Sequence, residues 1–442
     1  MIYSMLLIIL LMSLFNIYKD MVVFKSVIKI NTILWIFCII FFVIVPFVGY
    51  REGFGFQMDY VKYEYDVSIA LFIIIIFLSS YLLGYKIRSN LAIVIIDSNR
   101  RRMALSLFGT AIFIFGFFYL VVKVNLYGWE SLFFRGDTGF ILHGKSLVQI
   151  ERYFIRPLFF FNFILMGVSY SIKMENINKR VFFLPLIYGI LAAIMLFPLS
   201  VPRFIGICSL LTLLAYLVFI YNKKSFYSKY HSRVITSLIF LGIIFSGVLN
   251  VFRNGYSFFI LNGFNEFNMW SFFKSGHFDA FENLTSLIGY THSKGIVFGE
   301  NLIGALFFFI PRSLWQDKPV GTGTFLYDHN VLNYDYIDTG NTNIGMPIIG
   351  EFYLSGGVLF VVIFGFLFAR LIKLLESISF SDYMTRKTYA VVVLILSFFS
   401  PYILIVMRGD LMTSFSTFVA ISMSLYTSLW VNNYSIKLRR RR

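Results

Sequence analysis

The chain alternates long apolar runs with short polar links. Eleven runs approach the roughly 20 residues that a helix needs to cross the hydrocarbon core of a bilayer. They cover residues 2–18, 31–48, 67–85, 103–122, 153–172, 181–199, 204–221, 234–252, 352–369, 388–407 and 411–431. A helix satisfies its backbone hydrogen bonds within one segment, as lipid requires. The pattern predicts an all-α polytopic integral membrane protein with about eleven transmembrane helices, in a range of about 10 to 12.

The composition points to the same class of protein. Of the 442 residues, 58% are hydrophobic and only 14% are charged. A water-soluble domain of this size could not bury so much apolar surface. Both cysteines, Cys38 and Cys208, fall inside apolar runs, which argues against a disulfide framework and against a thiolate metal site.

The polar links carry the charges and divide them unequally between the two sides of the membrane. When the 38 lysines and arginines are assigned to alternating sides, one side collects 24 of them, but only five of the 22 carboxylates. Cytoplasmic loops hold the excess of basic residues, so the rich side is the cytoplasm. The formal charge of +16 therefore reflects membrane orientation rather than nucleic acid. We expect the amino terminus outside and the carboxy terminus in the cytoplasm.

Four regions follow from this arrangement. Residues 1–252 form an eight-helix transmembrane region, 253–351 a large periplasmic or extracellular loop, 352–431 three further transmembrane helices, and 432–442 a basic cytoplasmic tail. The loop is rich in phenylalanine and contains an apolar run, 303–310, that is too short to span and stops at Pro311. We expect interfacial or re-entrant helices there. No glycine-rich phosphate loop occurs, which excludes an ATPase-type pump.

Basic side chains on the outer side, near the membrane, are the candidate substrate-binding residues. They are Arg135, Arg203, Arg253, Arg312, Lys318 and Arg408. The planar guanidinium of arginine binds phosphate oxygens in bidentate fashion, so converging arginines would suit a lipid-linked pyrophosphate. The alternative is that each side chain extends to the lipid headgroups and has no further role.

Carboxylates and an imidazole of the same side are the candidate catalytic residues. Glu351 stands at the start of the ninth apolar run, and Asp328 and His329 are neighbours in the loop. Any of the three could accept a proton from an attacking sugar hydroxyl. The alternative is that ordinary loop polarity and helix capping account for them. The five histidines show no metal-ligand spacing, so we expect neither a metal nor a cofactor.

One stretch of the loop carries a family resemblance. Residues 311–319 read Pro-Arg-Ser-Leu-Trp-Gln-Asp-Lys-Pro, a glycine-rich stretch follows, and 350–353 (Gly-Glu-Phe-Tyr) open the next helix. Together with the helix count and the late outer loop, this pattern resembles the Wzy-type O-antigen or oligosaccharide repeat-unit polymerases of bacteria. Arg312 and Lys318 match the loop motif, and Glu351 matches the helix start. The other arginines are added on physical grounds alone.

The resemblance implies a glycosyltransferase with a GT-C-like helical bundle in the bacterial cytoplasmic (inner) membrane. Such an enzyme polymerises undecaprenyl pyrophosphate-linked oligosaccharide repeat units into O-antigen or capsular polysaccharide on the outer face, and needs no nucleotide sugar. The expected partners are the lipid-linked glycan donor and acceptor, membrane lipid, a chain-length regulator protein and a flippase. Nucleic acid is not expected.

Three alternatives remain open at this point. An O-antigen ligase shares the lipid-linked donor and the large outer loop, but transfers the glycan to the lipid A core. A flippase or other transporter would move a lipid-linked sugar across the bilayer, and transporters usually place polar groups within their spans. A non-catalytic scaffold of a polysaccharide assembly complex is the third.

Overall fold

The computed structural model describes residues 1–23, 29–56, 58–87, 91–97, 104–133, 145–173, 183–221, 273, 278–329, 345–377 and 386–440. The helices in these ranges are α1 (Ile2–Tyr18), α2 (Ile30–Ile39), α3 (Val45–Glu52), α4 (Glu64–Lys86), α5 (Ala104–Tyr127), α6 (Glu130–Phe133), α7 (Lys145–Ile150), α8 (Arg156–Lys173), α9 (Phe183–Met195), α10 (Arg203–Tyr221), α11 (Ala280–Lys294), α12 (Glu300–Leu306), α13 (Thr322–Asp328), α14 (Ile348–Glu376), α15 (Arg386–Arg408) and α16 (Leu411–Val431). Short π-helical turns, Lys19–Val23, Ile40–Ile44 and Glu151–Ile155, follow α1, join α2 to α3 and lead into α8.

Nine helical segments of the described chain are long and apolar enough to cross a membrane. They are Ile2–Met21, Ile30–Glu52, Glu64–Lys86, Phe108–Tyr127, Val148–Ile172, Arg203–Ile220, Ile348–Glu376, Lys387–Arg408 and Leu411–Val431. Large apolar side chains on them stay exposed in the protein, among them Leu83 at 62% and Phe115 at 67%. Only lipid covers such surfaces at this density. The chain is therefore a multi-pass, predominantly α-helical membrane protein.

Two of the eleven predicted spans stand outside this set. The run 181–199 contains α9, whose 13 residues are too short to cross, and which ends at Met195 before Pro198 and Pro202. The run 234–252 lies outside the described residues. The total of eleven therefore stays a prediction.

Two β-strands accompany the helices in the described ranges. β1 (Leu91–Asp97) and β2 (Tyr434–Arg440) form an antiparallel pair in which Leu91 lies opposite Arg440 and Asp97 opposite Tyr434. The hydropathy pattern predicts that 91–97 belong to a link between apolar runs and 432–442 to a basic tail. Neither segment forms a sheet alone, because a strand needs a hydrogen-bonded partner, and here that partner is distant in the chain.

The chain folds into two compact units, which are described separately. The first comprises Met1–Ser89, Ile260–Lys373 and Ile403–Ser416. Within it α1 packs against α2 and α4, and α11 packs against α4. Asp20, which is 3% exposed, accepts hydrogen bonds from Lys29 Nζ (3.0 Å) and Asn31 Nδ2 (2.6 Å), and Tyr81 on α4 donates to Asn31 Oδ1 (2.9 Å). These bonds fix the entry of α2 against its neighbours.

The second unit comprises Asn90–Phe259, Leu374–Tyr402 and Thr417–Arg442. Helix α8 packs against α5, α9 and α10. Two serines of α16 hydrogen-bond to backbone carbonyls at the start of α8: Ser424 donates to Phe154 O (2.8 Å) and Ser428 to Leu158 O (3.1 Å). Small hydroxyl residues allow helices to approach closely inside a membrane.

Helix α14 is broken near its beginning. Gly356 and Gly357 leave helical geometry, and the φ of Gly357 is 61°, a left-handed value that glycine adopts at little cost. The break separates a short first segment, 348–355, from 358–376, which alone is long enough to span. Glu351 belongs to the first segment.

Candidate functional site

The carboxylate of Glu351 is the most completely enclosed of the predicted site residues. The residue is 1% exposed. Its Oε2 accepts hydrogen bonds from Asn301 Nδ2 (2.6 Å) and Thr322 Oγ1 (2.5 Å), and its Oε1 accepts one from Leu411 N (2.9 Å). The donors come from α12, α13 and α16. Three separate elements of the first unit therefore fix one carboxylate in a single orientation.

A second carboxylate, Asp410, lies on the other side of Thr322. Thr322 N donates to Asp410 Oδ1 (2.9 Å), and Thr413 Oγ1 donates to Asp410 Oδ2 (2.8 Å). Gly321 precedes Thr322, and a Cβ at that position would collide with the Asp410 carboxylate. The absence of a side chain at Gly321 therefore permits the close approach. Thr322 bonds to both carboxylates through its hydroxyl and its amide.

An amide and a hydroxyl support Glu351 from behind. Asn301 Nδ2 also donates to Glu351 O (3.1 Å), while its Oδ1 accepts a bond from Ser355 Oγ (2.6 Å). Ser355 Oγ is also within hydrogen-bond distance of Glu351 O (2.6 Å). We call Asn301, Thr322, Glu351, Ser355 and Asp410 the carboxylate cluster. Its members are all at most 8% exposed, and each is oriented by at least one other member.

Apolar packing fixes the helices that carry this cluster. Leu287 on α11, Leu326 on α13, and Met346 and Leu354 beside and on α14 form one buried group. Val297 N donates to Leu354 O (2.9 Å), which joins the turn before α12 to the first segment of α14. The rigid surroundings hold the donor positions that Glu351 needs.

Arg408 has an ion-pair partner in the same unit. Its Nη2 lies 2.9 Å from Asp279 Oδ1, and the two side chains are 18% and 10% exposed. The turn through Gly409 and Asp410 then leads directly to Leu411, a donor to Glu351. Arg408 therefore tethers the start of α11 to the turn that carries part of the carboxylate cluster.

The start of α11 has a further polar tether. Glu282, which is 3% exposed, accepts bonds from Phe56 N (2.9 Å) and Tyr60 OH (3.4 Å). Burial in the first place, and the nearby Glu282 charge in the second, raise the pKa of Tyr60 well above its usual range. The phenol therefore remains a hydrogen-bond donor at all physiological pH values and ties the α3–α4 connection to α11.

Lys318 and Arg312 of the family-like motif have different surroundings. Lys318 Nζ donates to Phe308 O (2.6 Å) and Ile310 O (2.9 Å), and so caps the turn after α12. Partial burial first, and the Arg312 charge second, lower the pKa of Lys318. Arg312 is exposed. The geometry gives Lys318 a structural role that the sequence analysis did not anticipate, and its substrate-binding role stays a prediction.

Asp328 and His329 lie at the end of α13 and are exposed. His329 Nδ1 is 2.9 Å from Phe325 O, and its ring lies 4.2 Å from the Phe325 ring and 5.8 Å from that of Tyr290. The described hydrogen-bond donors to the Glu351 carboxylate are Asn301, Thr322 and Leu411. No described hydrogen bond therefore joins Asp328 or His329 to that carboxylate.

Three predicted arginines remain to be accounted for. Arg135 and Arg253 fall outside the described residues. Arg203 is half-buried at the first position of α10, in the second unit. Their convergence on a pyrophosphate stays a prediction.

No protein-family model, no curated protein sequence and no solved structure matches this chain. The site must therefore be judged on its geometry. Within the described ranges, no group of three or more His, Cys, Asp or Glu residues is arranged to hold a metal ion.

The second unit has a polar site that the sequence analysis missed. Lys123 on α5 is 5% exposed, and its Nζ lies 2.7 Å from Glu151 Oε1, which also accepts a short hydrogen bond from Tyr119 OH. Arg156, also 5% exposed, donates through Nε to Met195 O and through Nη2 to Ser200 Oγ, both at 2.7 Å. A lysine directly after the apolar run 103–122, with further apolar residues beyond it, was the available signal.

Proposed function

We propose that this protein is a membrane glycosyltransferase of the polymerase type, with Glu351 as its proton acceptor. The observation that carries the proposal is the enclosed Glu351 carboxylate, held by three neutral donors from separate elements. An ionisable group is costly inside a membrane protein and commonly marks a functional site. Within the described part of the chain, neither lysine nor arginine is among the hydrogen-bond donors of Glu351, and a carboxylate held in one orientation by neutral donors is suited to accept a proton.

The proposed reaction joins two lipid-linked glycans. The hydroxyl oxygen of the acceptor sugar forms the new bond to C1 of the donor sugar, and the bond from C1 to the pyrophosphate oxygen breaks. The hydroxyl proton passes to Glu351, and the carrier lipid pyrophosphate leaves with the bonding electron pair. Arg312, exposed beside α12, is the described cation of the motif best able to stabilise that leaving group. Because Glu351 is enclosed, α13 or the turn at 409–410 must move aside when the acceptor binds.

Contacts at the two ends of α14 support placing this chemistry on the outer face. Lys373 and Arg370, near the end of α14, donate to Tyr85 O and Ile87 O at the end of α4, on the side that the charge distribution assigns to the cytoplasm. Glu351 lies near the opposite end of α14. The proposal accordingly includes an eleven-span chain in a bacterial cytoplasmic membrane, with the carboxylate cluster outward and undecaprenyl pyrophosphate-linked glycans as donor and acceptor.

A gene deletion complemented with variants tests the proposal. The surface glycans of the deletion strain, run on a gel, should collapse to core plus one repeat unit, and the intact gene should restore the long ladder. Glu351→Gln should fail to restore it. Glu300→Gln is the matched control, because Glu300 is an exposed carboxylate one position from Asn301, and it should restore the ladder.

Other outcomes would contradict the polymerase assignment. Complete loss of attached glycan in the deletion strain would indicate a ligase or a flippase. An unchanged ladder in the deletion strain would show that the protein is not needed for glycan polymerisation. A full ladder with Glu351→Gln, at normal protein level, would remove Glu351 from the reaction.

The break in α14 favours a transporter as the second candidate. Gly356 and Gly357 interrupt a span close to a buried carboxylate, and interrupted helices that carry polar groups line the substrate sites of many secondary transporters. Purified protein in vesicles separates the two candidates. Movement of a lipid-linked sugar between leaflets, without any joining of two units, would establish the transporter.

A further inference from the structure

The β1–β2 pair is a continuous ribbon of seven residue pairs. Ile95 lies opposite Ile436 and Val94 opposite Lys437, with Leu91 and Arg440 at one end and Asp97 and Tyr434 at the other. At 3.2 to 3.4 Å per residue, each strand is roughly 23 Å long. Such a ribbon is only marginally stable alone, so its stability depends on what covers its faces.

The ribbon lies across the ends of membrane helices within the second unit. Ile93 N donates to Ser377 Oγ (3.4 Å), directly after the end of α14. At the other end, the Tyr434 ring lies 4.9 Å from Lys387 Nζ at the start of α15, and Tyr434 follows the end of α16 by three residues. Contacts at both ends hold the ribbon along the boundary of the membrane rather than extended away from it.

The two faces of the ribbon differ. Tyr434 and Ile95 are each 3% exposed and face the protein, while Ile436, which lies opposite Ile95 on the same face, is 40% exposed. Successive residues of a strand point to opposite faces, so Ile96 belongs to the other face, together with the pair Val94 and Lys437. Ile96 is 38% exposed and Lys437 is exposed. An exposed face that combines apolar side chains with lysine is typical of a surface lying at the lipid-water boundary.

The sequence in and around the ribbon is strongly basic. Residues 91–103 and 434–442 contain eight basic residues, Arg100, Arg101, Arg102, Lys437, Arg439, Arg440, Arg441 and Arg442, and one carboxylate, Asp97. Clusters of four to eight lysines and arginines beside a transmembrane helix bind anionic lipid, at about 1 kcal/mol for each charge near the surface.

We propose that the β1–β2 ribbon is a binding surface for the anionic headgroups of phospholipids in the adjacent leaflet. Membrane orientation alone requires basic residues in the links, and a flexible tail would supply them. It does not require two segments to pair and to present an apolar and basic face at the boundary. The inference is independent of the proposed enzymatic function.

Hydrogen exchange on the full-length protein tests this inference. The protein is placed in nanodiscs of neutral phosphatidylcholine, or of phosphatidylcholine mixed with phosphatidylglycerol. Backbone amides of 91–97 and 434–440 should exchange about tenfold more slowly in the anionic discs, and the difference should shrink in high salt. Amides of α11 should be unaffected. Equal exchange of the ribbon in both discs would overturn the proposal, as would protection that is insensitive to salt.

A matched pair of charge variants separates the ribbon from the general basic character of the chain. The variant Lys437→Gln, Arg439→Gln, Arg440→Gln should lose the effect of phosphatidylglycerol. The control Lys223→Gln, Lys224→Gln, Lys229→Gln removes the same charge from another basic link and should keep the effect. Loss of the effect in both variants would assign it to net charge and contradict the proposal.

A spin label reports on the ribbon without removing any charge. Cys38 and Cys208 are buried, so a nitroxide should react selectively with Ile96→Cys. In anionic discs the label should be relaxed more by nickel chelated to a lipid headgroup than by a soluble nickel chelate. The same relaxation in neutral and anionic discs would contradict the proposal, even if the charge variants had unfolded the ribbon.

Discussion

Among the described residues, the buried Glu351 of the first unit receives hydrogen bonds from neutral donors only, whereas in the second unit the buried Lys123 lies 2.7 Å from the carboxylate of Glu151. The second arrangement contains its own counter-charge, and stability is sufficient to explain it. The first holds a carboxylate in place without a cation among its donors. A carboxylate that is oriented, and that has no described cation among its donors, is suited to react with a substrate proton, which is why we propose the function for the first unit.

The two sites also differ in how they are built. The donors to Glu351 are 29 to 60 residues away in sequence and belong to short helices and helix starts. Lys123 and Glu151 are 28 residues apart and connect α5 to the entry of α8. Short elements move more readily than long packed helices. Under the proposed function, the short elements around the carboxylate cluster would move to admit a substrate, whereas the ion pair stabilises the packing of α5 against the entry of α8.

The strongest test of this contrast is Glu351→Gln. The amide keeps the size of the side chain and removes the carboxylate, so the rate of glycan joining should fall by about 100-fold or more. Joining of two lipid-linked units by purified protein in detergent is the measurement. Thermal unfolding is the control for folding. A joining rate near that of the intact protein would contradict the proposed role of Glu351 and of the first unit.

The converse test is Lys123→Met. Removing one partner of a buried ion pair leaves an uncompensated charge and costs about 3–5 kcal/mol. We expect a marked fall in the midpoint of thermal unfolding, with the joining rate per folded molecule unchanged. The double variant Lys123→Met, Glu151→Gln should recover much of the stability. A fall in the joining rate per folded molecule would show that Lys123 contributes to the reaction, and would contradict a purely structural role for the second unit's ion pair.

A smaller effect is expected from Gly321→Ala. The added methyl group collides with the Asp410 carboxylate, and overpacking of this kind costs about 1–3 kcal/mol. Both the unfolding midpoint and the joining rate should fall. Gly109→Ala in the second unit is the matched control, because its Cβ would make only ordinary contacts, and it should alter neither. A rate unchanged by Gly321→Ala would separate Asp410 from catalysis.

The smallest effect should come from Lys318→Met, which removes two bonds to backbone carbonyls near the surface. A cost of about 1 kcal/mol is expected, with little change in chain length. Arg312→Met sharpens the comparison, because it should leave stability unchanged but prevent chain lengthening on surface-glycan gels. The reverse result, in which Lys318→Met abolishes lengthening in stable protein, would support the substrate-binding role that the sequence predicts for Lys318.

The apolar runs predicted the long helices well, but they did not predict the short helix α12 or the strand β1. The runs 2–18 and 411–431 coincide with α1 and α16, because a polar residue follows each run and neither contains glycine or proline. The run 303–310 does not coincide with its helix: α12 begins and ends earlier, at Glu300 and Leu306. The run 91–96 carries the β-branched residues of a strand, but its partner lies more than 300 residues away, and a local pattern contains no such information.

The candidate site was predictable in one residue only. Glu351 could be found because a carboxylate at the start of an apolar run is conspicuous. Asn301, Thr322 and Asp410 look like ordinary loop residues in the sequence. Their role depends on contacts between distant segments, which follow from the packing of α11, α13 and α14 and from no local signal.

The contacts between α4 and α14 have a consequence for biosynthesis. Ser80 Oγ donates to Val362 O (2.5 Å), and the carbonyls of Tyr85 and Ile87 bind side chains of α14. These partners are separated by 282 to 288 residues. During translation, α4 is inserted long before α14 exists, so its hydroxyl and terminal carbonyls must find water, lipid headgroups or an insertion factor meanwhile. The packing of α4 is therefore completed only after α14 has been synthesised and inserted.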